Sequence, residues 1–189
     1  MFGHADERPA VRARYGWDHK FVAIYSGAMG LVNGLDYVLD CARVLDRMKI
    51  ENIHLALFGE GAQRAHLQER IAREGLQSVK LYDAVPKSQI PAIIEAADTG
   101  LVIFRPIKHI HSNSANKFFD YLAAGLPIVL NYGGWQEELL QQYGAGQSVT
   151  DDDPRALAEA LIALRDQPAR RRTMGSAARQ LAVDQFDRG

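Results

Sequence analysis

The sequence predicts an α/β protein with a Rossmann-like, doubly wound parallel sheet. Short apolar runs alternate along the chain with segments of helical periodicity, which is the order of a β-α-β chain. The runs are rich in β-branched, aromatic and leucine residues without clean alternation between apolar and polar positions, as expected for strands buried on both faces. Hydrophobic residues make up 47% of the 189 residues, which is enough for a sizeable core.

Six segments are predicted to be strands. In chain order they are FVAIYSG (21–27), NIHLALFGEG (52–61), VKLYDAV (79–85), TGLVIF (99–104), LPIVLN (126–131) and the less apolar GQSVT (146–150). Right-handed crossovers between successive parallel strands would place helices on both faces of the sheet. The first 20 residues are interpreted as a lead-in to this domain, which spans residues 1–189.

Helical patterns separate the apolar runs, at 34–48, 62–75, 87–98 and 153–166. The first pattern has one apolar face with helical spacing, formed by Leu35, Val38, Leu39, Ala42 and Leu45. Gly75 is predicted to end the second helix, and Pro86 marks the turn before the third. A fifth helix is predicted to begin near Ser114 and to end at Gly125.

Composition and charge exclude several classes of function. The formal net charge is −1 and the isoelectric point is about 6.6, so no nucleic-acid partner is expected. Cys41 is the only cysteine, so neither an internal disulfide nor a cysteine zinc cluster can form. No run of apolar residues is long enough for a membrane span, and no signal-peptide pattern opens the chain, so a cytoplasmic location is expected.

Four loops at the predicted carboxyl ends of strands are candidates for ligand binding, because ligands of open α/β sheets bind at that edge. They are SGAMGLVNG (26–34), GEGAQ (59–63), AVPKS (84–88) and RPIKHIHSNSAN (105–116). Neither glycine-containing loop matches G-x-G-x-x-G, which argues against a dinucleotide site. Tight turns alone would also explain these glycines.

The fourth loop leads into a helix with polar residues at its head and aromatic residues behind them. The unpaired amides and positive dipole of such a helix end suit a phosphate, and Lys117 adds a charge one turn in. Asn116 and Asp120 share a face, and a carboxylate there suits two adjacent sugar hydroxyls. A structural alternative stays open, in which Asn113 or Ser114 only caps the helix and Lys117 pairs with Asp120.

Five segments that cover nearly the whole chain carry a family resemblance. They are VAIYSGAMGLVNGLDYVLDCARVL, LALFGEGAQRAHLQERI, VKLYDAVPKSQIPAIIEAADTGLVIF, NKFFDYLAAGLPIV and YGAGQSVTDDDPRALAEALIALRDQPARRRTMGSAAR. Together they resemble the C-terminal, nucleotide-sugar-binding half of GT-B glycosyltransferases of family 4. The stretch from Ser114 to Tyr121 fits S-x-N-K-x-x-[DE]-Y and is similar to the WbuB-like subgroup, whose members make bacterial surface polysaccharides.

The resemblance implies roles for individual residues. Asp120 stands where the second glutamate of the family's E-x7-E motif binds the ribose hydroxyls, whereas Ser112 replaces the first glutamate, which contacts the donor sugar. Ala28 and Asn33 stand where a basic pair usually holds the diphosphate. Lys117 is expected to supply that missing positive charge.

Lys117 and Asp120 are therefore the predicted catalytic residues. The predicted donor-binding residues are Gly27, Gly30, Asn33, Glu60, Val85, Pro86, His111, Ser112, Asn113, Ser114, Ala115, Asn116, Lys117 and Asp120. The resemblance places the base at Val85 and Pro86, mostly through backbone contacts.

No metal site is predicted. His109 and His111 lack a third ligand nearby. The only D-x-D, at 151–153, is followed by Pro154 and an apolar stripe, so Asp153 is predicted to be a helix N-cap rather than a metal ligand.

Two further features, Trp135 and a run of arginines, have no catalytic or binding role assigned to them. Trp135 either covers the site, faces a domain outside this chain, or anchors the core. The three arginines at 170–172 are predicted to lie on a solvated helix face.

The resemblance implies the donor-binding domain of a retaining glycosyltransferase, with a nucleoside-diphosphate sugar, most of all a UDP-sugar, as substrate and no cofactor. The acceptor would be a glycan or lipid-linked molecule in bacterial surface-polysaccharide or lipopolysaccharide synthesis. The N-terminal acceptor domain, and any peripheral membrane association of the full-length protein, are expected outside this chain, and the isolated domain is expected to be inactive. A UDP-sugar epimerase-like domain and a degenerate, non-catalytic α/β module are the alternatives.

Overall fold

The computed structural model describes residues 5–106, 115–149 and 153–186. Within these residues six strands form one parallel sheet in the order β3-β2-β1-β4-β5-β6. The strands are β1 (Phe21–Ser26), β2 (Ile53–Phe58), β3 (Val79–Tyr82), β4 (Thr99–Val102), β5 (Ile128–Leu130) and β6 (Gly146–Ser148). This order reverses between β1 and β4, as in a doubly wound Rossmann sheet, so the predicted fold class is confirmed.

The described residues also form eight α-helices. They are α1 (Arg8–Tyr15), α2 (Asp36–Arg47), α3 (Arg64–Glu74), α4 (Ile90–Ala96), α5 (Asn116–Ala123), α6 (Trp135–Tyr143), α7 (Pro154–Asp166) and α8 (Pro168–Phe186). Gly75 adopts a left-handed φ of 65° and ends α3, as predicted. Asp153 accepts a hydrogen bond from the Arg155 N–H at 2.9 Å and caps α7, also as predicted.

Strand side chains point alternately into two hydrophobic clusters. Val22 and Ile24 of β1 contribute to the cluster shared with α1, α4, α5, α6 and most of α8. Ala23 and Tyr25 contribute to the cluster shared with α2, α3 and α7. The prediction of strands buried on both faces is confirmed for β1, β2, β4 and β5, whereas β6 is only partly buried and β3 has an exposed lysine. Helices α2 and α5 lie on opposite sides of the sheet.

The segment interpreted as a lead-in contains helix α1, which the sequence pattern did not predict. The Arg12 guanidinium donates to the carbonyls of Ala96 (2.8 Å) and Trp17 (2.7 Å). Arg8 and Arg12 both pair with the Asp98 carboxylate, at 2.9 and 3.2 Å. These contacts anchor α1 to the end of α4 and make it part of the domain.

Helix α6 was also not predicted, whereas α8 is the helix on which the three arginines were expected. Trp135 begins α6 and packs on Phe118 and Phe119 of α5, with ring centres 5.8 and 6.3 Å apart, as a core anchor would. Of the predicted arginine face on α8, Arg170 and Arg172 are exposed. In the described part of the chain, none of the helices combines the length and apolarity that crossing a bilayer requires.

Candidate functional site

The loops at the carboxyl edge of the sheet continue its hydrogen-bond ladder beyond the strands. The Gly27 N–H donates to the Phe58 carbonyl at 3.0 Å, and the Met29 N–H donates to the Glu60 carbonyl at 2.8 Å. These two bonds join the loops after β1 and β2 into one surface at the point where the order of the strands reverses.

Two glycines make this close approach of the loops feasible. Gly59 has a φ of 145° and Gly61 a φ of 151°, both in the region that favours glycine. A Cβ on Gly61 would lie 2.6 Å from the Met29 carbonyl oxygen, and one on Gly59 would overlap the Gly27 carbonyl. Any side chain at these positions would push the two loops apart.

Lys117, near the start of α5, lies over this surface. A Cβ built on Gly27 would be 3.0 Å from the Lys117 Cε and 3.5 Å from its Nζ, so the lysine rests directly on the glycine. The Nζ also lies 4.8 Å from the centre of the Tyr25 ring and 5.3 Å from that of Phe104. The faces of the Tyr25 and Phe104 rings thus form an electron-rich surface under the ammonium, called the seat of Lys117 below.

The electrostatics of Lys117 and Asp120 are set mainly by burial. Loss of water lowers the pKa of the half-buried Lys117 ammonium to about 8, while the Asp120 carboxylate acts in the opposite direction. Partial burial also raises the pKa of Asp120, whose side chain still reaches solvent, and Lys117 opposes that rise. The described residues show no ion pair within 4.0 Å between the two, so the Lys117–Asp120 pairing of the structural alternative is not supported.

Tyr121 fixes α5 against the sheet. Its buried phenol oxygen accepts a hydrogen bond from the Ser26 N–H at 2.9 Å, at the carboxyl end of β1. A Cβ on Gly100 of β4 would overlap the Tyr121 ring, so this strand residue must lack a side chain. The register of α5, and with it the position of Lys117, follows from these two contacts.

The structure brings some predicted residues together and separates others. Lys117, Gly27 and Asp120 lie at one edge of the sheet, whereas the Asn33 carboxamide is used inside its own loop, where its Oδ1 accepts from the Gly30 N–H at 3.1 Å. Of the other predicted residues, Ala115 is buried in the core, Val85 packs against it, and Glu60 pairs with Arg64 at 3.5 Å. Asn116 is exposed at the start of α5, and Pro86 lies in the loop after β3. Others lie outside the described residues, namely His109, His111, Ser112, Asn113, Ser114, Asp151 and Asp152.

Arg64, at the start of α3, orders the loop predicted to meet the base. Its guanidinium donates to the carbonyls of Gly59 (3.3 Å) and Tyr82 (3.1 Å) and pairs with Asp83 at 2.6 Å. Sequence reasoning missed this residue, together with Tyr25, Phe104 and Tyr121. The available signals were the positions of Tyr25 and Phe104 at predicted strand ends and that of Tyr121 in the S-x-N-K-x-x-[DE]-Y stretch.

A cavity of about 430 Å³ lies beside this surface, on the side of the sheet covered by α2, α3 and α7. Its described lining includes Gly30, Leu35, Tyr37 and Arg105, but neither Lys117 nor Asp120. Among the predicted donor residues that the structure describes, Gly30 alone lines this cavity. Among the described residues, no group of three or more histidine, cysteine or carboxylate side chains is arranged to hold a metal ion.

Comparison with known proteins gives the family. A family model described as glycosyl transferases group 1 matches residues 7–181. The chain belongs to the group 1 glycosyl transferases. Within that family, it is 29% identical over 86 residues to WcaI of Escherichia coli (strain K12), described as a colanic acid biosynthesis glycosyl transferase, and this match covers 46% of the chain and 20% of WcaI.

Solved structures show that this group 1 glycosyl transferase chain has the fold of one half of a GT-B enzyme. HepE of Anabaena, solved in complex with UDP, matches with a TM-score of 0.82 and 19% identity over 96% of the chain and 49% of HepE. WaaG, involved in lipopolysaccharide biosynthesis, matches with a TM-score of 0.77 and 17% identity over 96% and 48%. The C-terminal domain of LpcC from Francisella tularensis matches with a TM-score of 0.78 and 14% identity over 96% and 94%.

The expected family is thus confirmed, and so is the GT-B half-fold. The chain spans about half the length of HepE and WaaG, and its 86-residue match covers one fifth of WcaI. At these identities the solved structures show the fold alone.

Proposed function

We propose that this chain is the donor-binding domain of a retaining glycosyltransferase that uses a nucleoside-diphosphate sugar, with UDP as the preferred carrier. The observation that carries the proposal is the half-buried Lys117 ammonium, which rests on Gly27 and has no carboxylate within ion-pair distance among the described residues. A desolvated cation without a salt bridge is costly, and an anionic ligand would offset that cost. A diphosphate over the loop after β1 fits this requirement.

The ribose and the base of the nucleotide-sugar donor would be bound at the same carboxyl edge of the sheet. Asp120 lies one turn beyond Lys117 on the same helix, α5, so a donor whose diphosphate meets Lys117 would direct its ribose towards Asp120. The base would lie against the backbone of residues 84–86, which Arg64 holds in place through Tyr82 and Asp83. The complex of HepE with UDP, in a similar fold, supports a uridine nucleotide as the first ligand to test.

The chemistry of transfer would be mainly electrostatic. As the bond between the anomeric carbon and the diphosphate breaks, the electron pair remains on the leaving diphosphate, where the Lys117 ammonium and nearby amides stabilise it. Family membership favours a transferase over the epimerase-like alternative, and retention at the anomeric carbon follows from the resemblance. The glycan or lipid-linked acceptor, in synthesis of a bacterial surface polysaccharide, would be bound by the rest of the full-length protein.

Calorimetry on this chain with UDP, GDP, ADP and uridine tests the proposal. We expect UDP to bind most tightly and Lys117→Met to weaken UDP far more than uridine. Lys80→Met is the matched control, because Lys80 also lies over a tyrosine ring, 5.1 Å from the centre of Tyr82, but on edge strand β3. Absence of binding by every nucleotide at millimolar concentration would instead favour a non-catalytic α/β module.

A further inference from the structure

Asn131 follows strand β5 directly, and its side chain is almost completely buried, with 1% of its surface exposed. Its carboxamide makes two hydrogen bonds to one residue of the neighbouring chain segment. The Oδ1 accepts from the Phe104 N–H at 2.9 Å, and the Nδ2 donates to the Phe104 carbonyl at 2.7 Å. The side chain therefore replaces the backbone of a neighbouring strand at the point where the chain after β5 turns away.

We call these two hydrogen bonds between Asn131 and Phe104 the clamp. Phe104 lies two residues beyond the last paired residue of β4, since Val102 pairs with Leu130. On the other side of the same segment, the Arg105 N–H donates to the Val32 carbonyl at 2.9 Å. The backbone of residues 104 and 105 is thus held from both sides, by Asn131 and by the loop after β1. Without Asn131, the buried N–H and carbonyl of Phe104 would lose their partners.

The Phe104 ring connects the clamp to the candidate site. It lies 5.3 Å from the Lys117 Nζ and packs edge to face on Tyr132, with ring centres 5.4 Å apart. A shift of the Phe104 backbone would move one of the two aromatic faces that seat the ammonium. Both the cation–π attraction and the exclusion of water from the ammonium depend on the distance between the Phe104 ring and the Lys117 Nζ.

We propose that Asn131 is a positioning residue for diphosphate binding, because its carboxamide fixes Phe104 and so fixes the seat of the Lys117 ammonium. The proposal rests on the proposed function. Asn131 does not touch the ligand and acts only through Phe104 and Lys117. The group it serves is the diphosphate, so the nucleoside part of the ligand should be bound independently of it.

The test compares Asn131→Ser and Asn131→Ala with the control Thr99→Val. Thr99 is also fully buried, and its Oγ1 donates to the Pro127 carbonyl at 2.8 Å, which links the β4 and β5 segments at the opposite end of the sheet. The Asn131 substitutions remove two buried side-chain hydrogen bonds between these two segments, and Thr99→Val removes one. A general loss of stability should weaken the binding of UDP and of uridine alike, whereas loss of the Lys117 contact should weaken only UDP binding, and only in the Asn131 variants.

We expect the Asn131 variants to weaken UDP binding by about tenfold or more while uridine binding changes little, and Thr99→Val to change neither. In the same variants, NMR titration should show the pKa of Lys117 moving towards that of an ordinary lysine. If the Asn131 variants bind UDP like Thr99→Val, or lose UDP and uridine binding equally, the proposal is wrong. If the unmodified chain binds no nucleotide at all, the proposed function fails first, so the two failures are distinguishable.

A measurement on the unmodified chain does not depend on how well the variants fold. We expect saturating UDP to slow amide hydrogen exchange at Phe104 and Arg105 more than uridine does. Exchange at Gly100, in the same strand segment but near the control position, should respond equally to both ligands. Equal responses to UDP and uridine at Phe104 would contradict a role in diphosphate binding.

Discussion

The Nζ atom of Lys117 lies 4.8 Å from the centre of the Tyr25 ring, which joins the start of α5 to the end of β1. Because the ammonium also loses water at this position, its pKa falls to about 8, close to physiological pH. The pKa of an ordinary lysine is well above physiological pH. This lysine lies where the anionic part of the proposed donor would bind. The charge of the site should therefore depend on pH in an accessible range.

UDP affinity should fall as the pH rises through 8. The neutral amine no longer attracts the diphosphate, whereas below pH 8 the ammonium is present and this loss of affinity should not occur. Between the pKa of the free chain and the higher pKa of the complex, the loss should approach about tenfold per pH unit. Calorimetry from pH 6.5 to 9 checks this, with uridine as control for the base. A ratio of UDP to uridine affinity that stays constant over this range, or that falls equally in Lys117→Met, would contradict the assignment.

Asp120→Ala should weaken UDP binding by about 10- to 150-fold, because a hydrogen bond to a charged group is worth about 1.5–3 kcal/mol. Stability should change little, since the side chain reaches solvent and caps no helix. The same substitution should have much less effect on binding of 2′-deoxy-UDP, which lacks one of the two hydroxyls. Equal losses for both nucleotides would show that Asp120 does not bind the ribose.

Tyr121→Phe should lower the free energy of unfolding by about 1–3 kcal/mol, because the Ser26 N–H is left without a partner in a largely buried position. It should also weaken UDP binding, since α5 loses its tie to β1. Urea unfolding and calorimetry measure the two effects. Tyr143→Phe is the control, because it removes an exposed hydroxyl that accepts a hydrogen bond from the Gln185 side chain. It should change neither the free energy of unfolding nor UDP affinity.

His54 predicts a loss of stability in mild acid. Its ring is buried and accepts or donates a hydrogen bond with the Tyr82 hydroxyl at 2.8 Å, and burial, with Lys20 and Lys80 nearby, lowers its pKa to about 4. The unfolded chain therefore binds this proton more tightly, so stability is lost as pH falls from about 6.5 towards 4, by about 3 kcal/mol in total. Urea unfolding at pH 7, 5.5 and 4.5 measures the slope.

His54→Gln is the matched variant, since it retains a hydrogen-bonding group near Tyr82 but does not titrate. Its stability should depend less steeply on pH than that of the unmodified chain. The lowered pKa values of Asp36 and Glu74 also reduce stability in acid, but they contribute equally to both proteins. Parallel pH profiles for the two proteins would exclude His54 as the source of the effect.

Nucleotide binding should be unchanged by EDTA, because the proposed site meets the diphosphate with Lys117 and backbone amides. Asp153→Ala should lower stability by about 1 kcal/mol through loss of the α7 cap, without a change in UDP affinity. Asp151→Ala should leave affinity intact as well. A strong requirement of binding for magnesium or manganese would contradict this and return the D-x-D at 151–153 to consideration as a metal site.

The strands and the helices with large apolar stripes were readable from the sequence alone. Their signals are local, because burial on two faces demands continuous apolar runs, and a helix that packs on one side demands a period of 3.6 residues. Gly75 and Asp153 were equally local, since a left-handed stop and an N-cap depend on neighbouring residues. The bounds of α8 were not predicted, because its buried stripe includes Gly175 and Ala178 as well as larger side chains, and a Cβ on Gly175 would lie 2.5 Å from the Gly125 carbonyl oxygen.

The chemistry of the site was decided only by the tertiary structure. The sequence placed Lys117 and Asp120 one turn apart, where either a salt bridge or a ligand site was compatible with the spacing. The fold determined that the lysine instead lies on Gly27, Tyr25 and Phe104, residues of other elements that the sheet brings to one edge. Such contacts depend on strand order and on where each chain leaves the sheet, which periodicity along the sequence does not record.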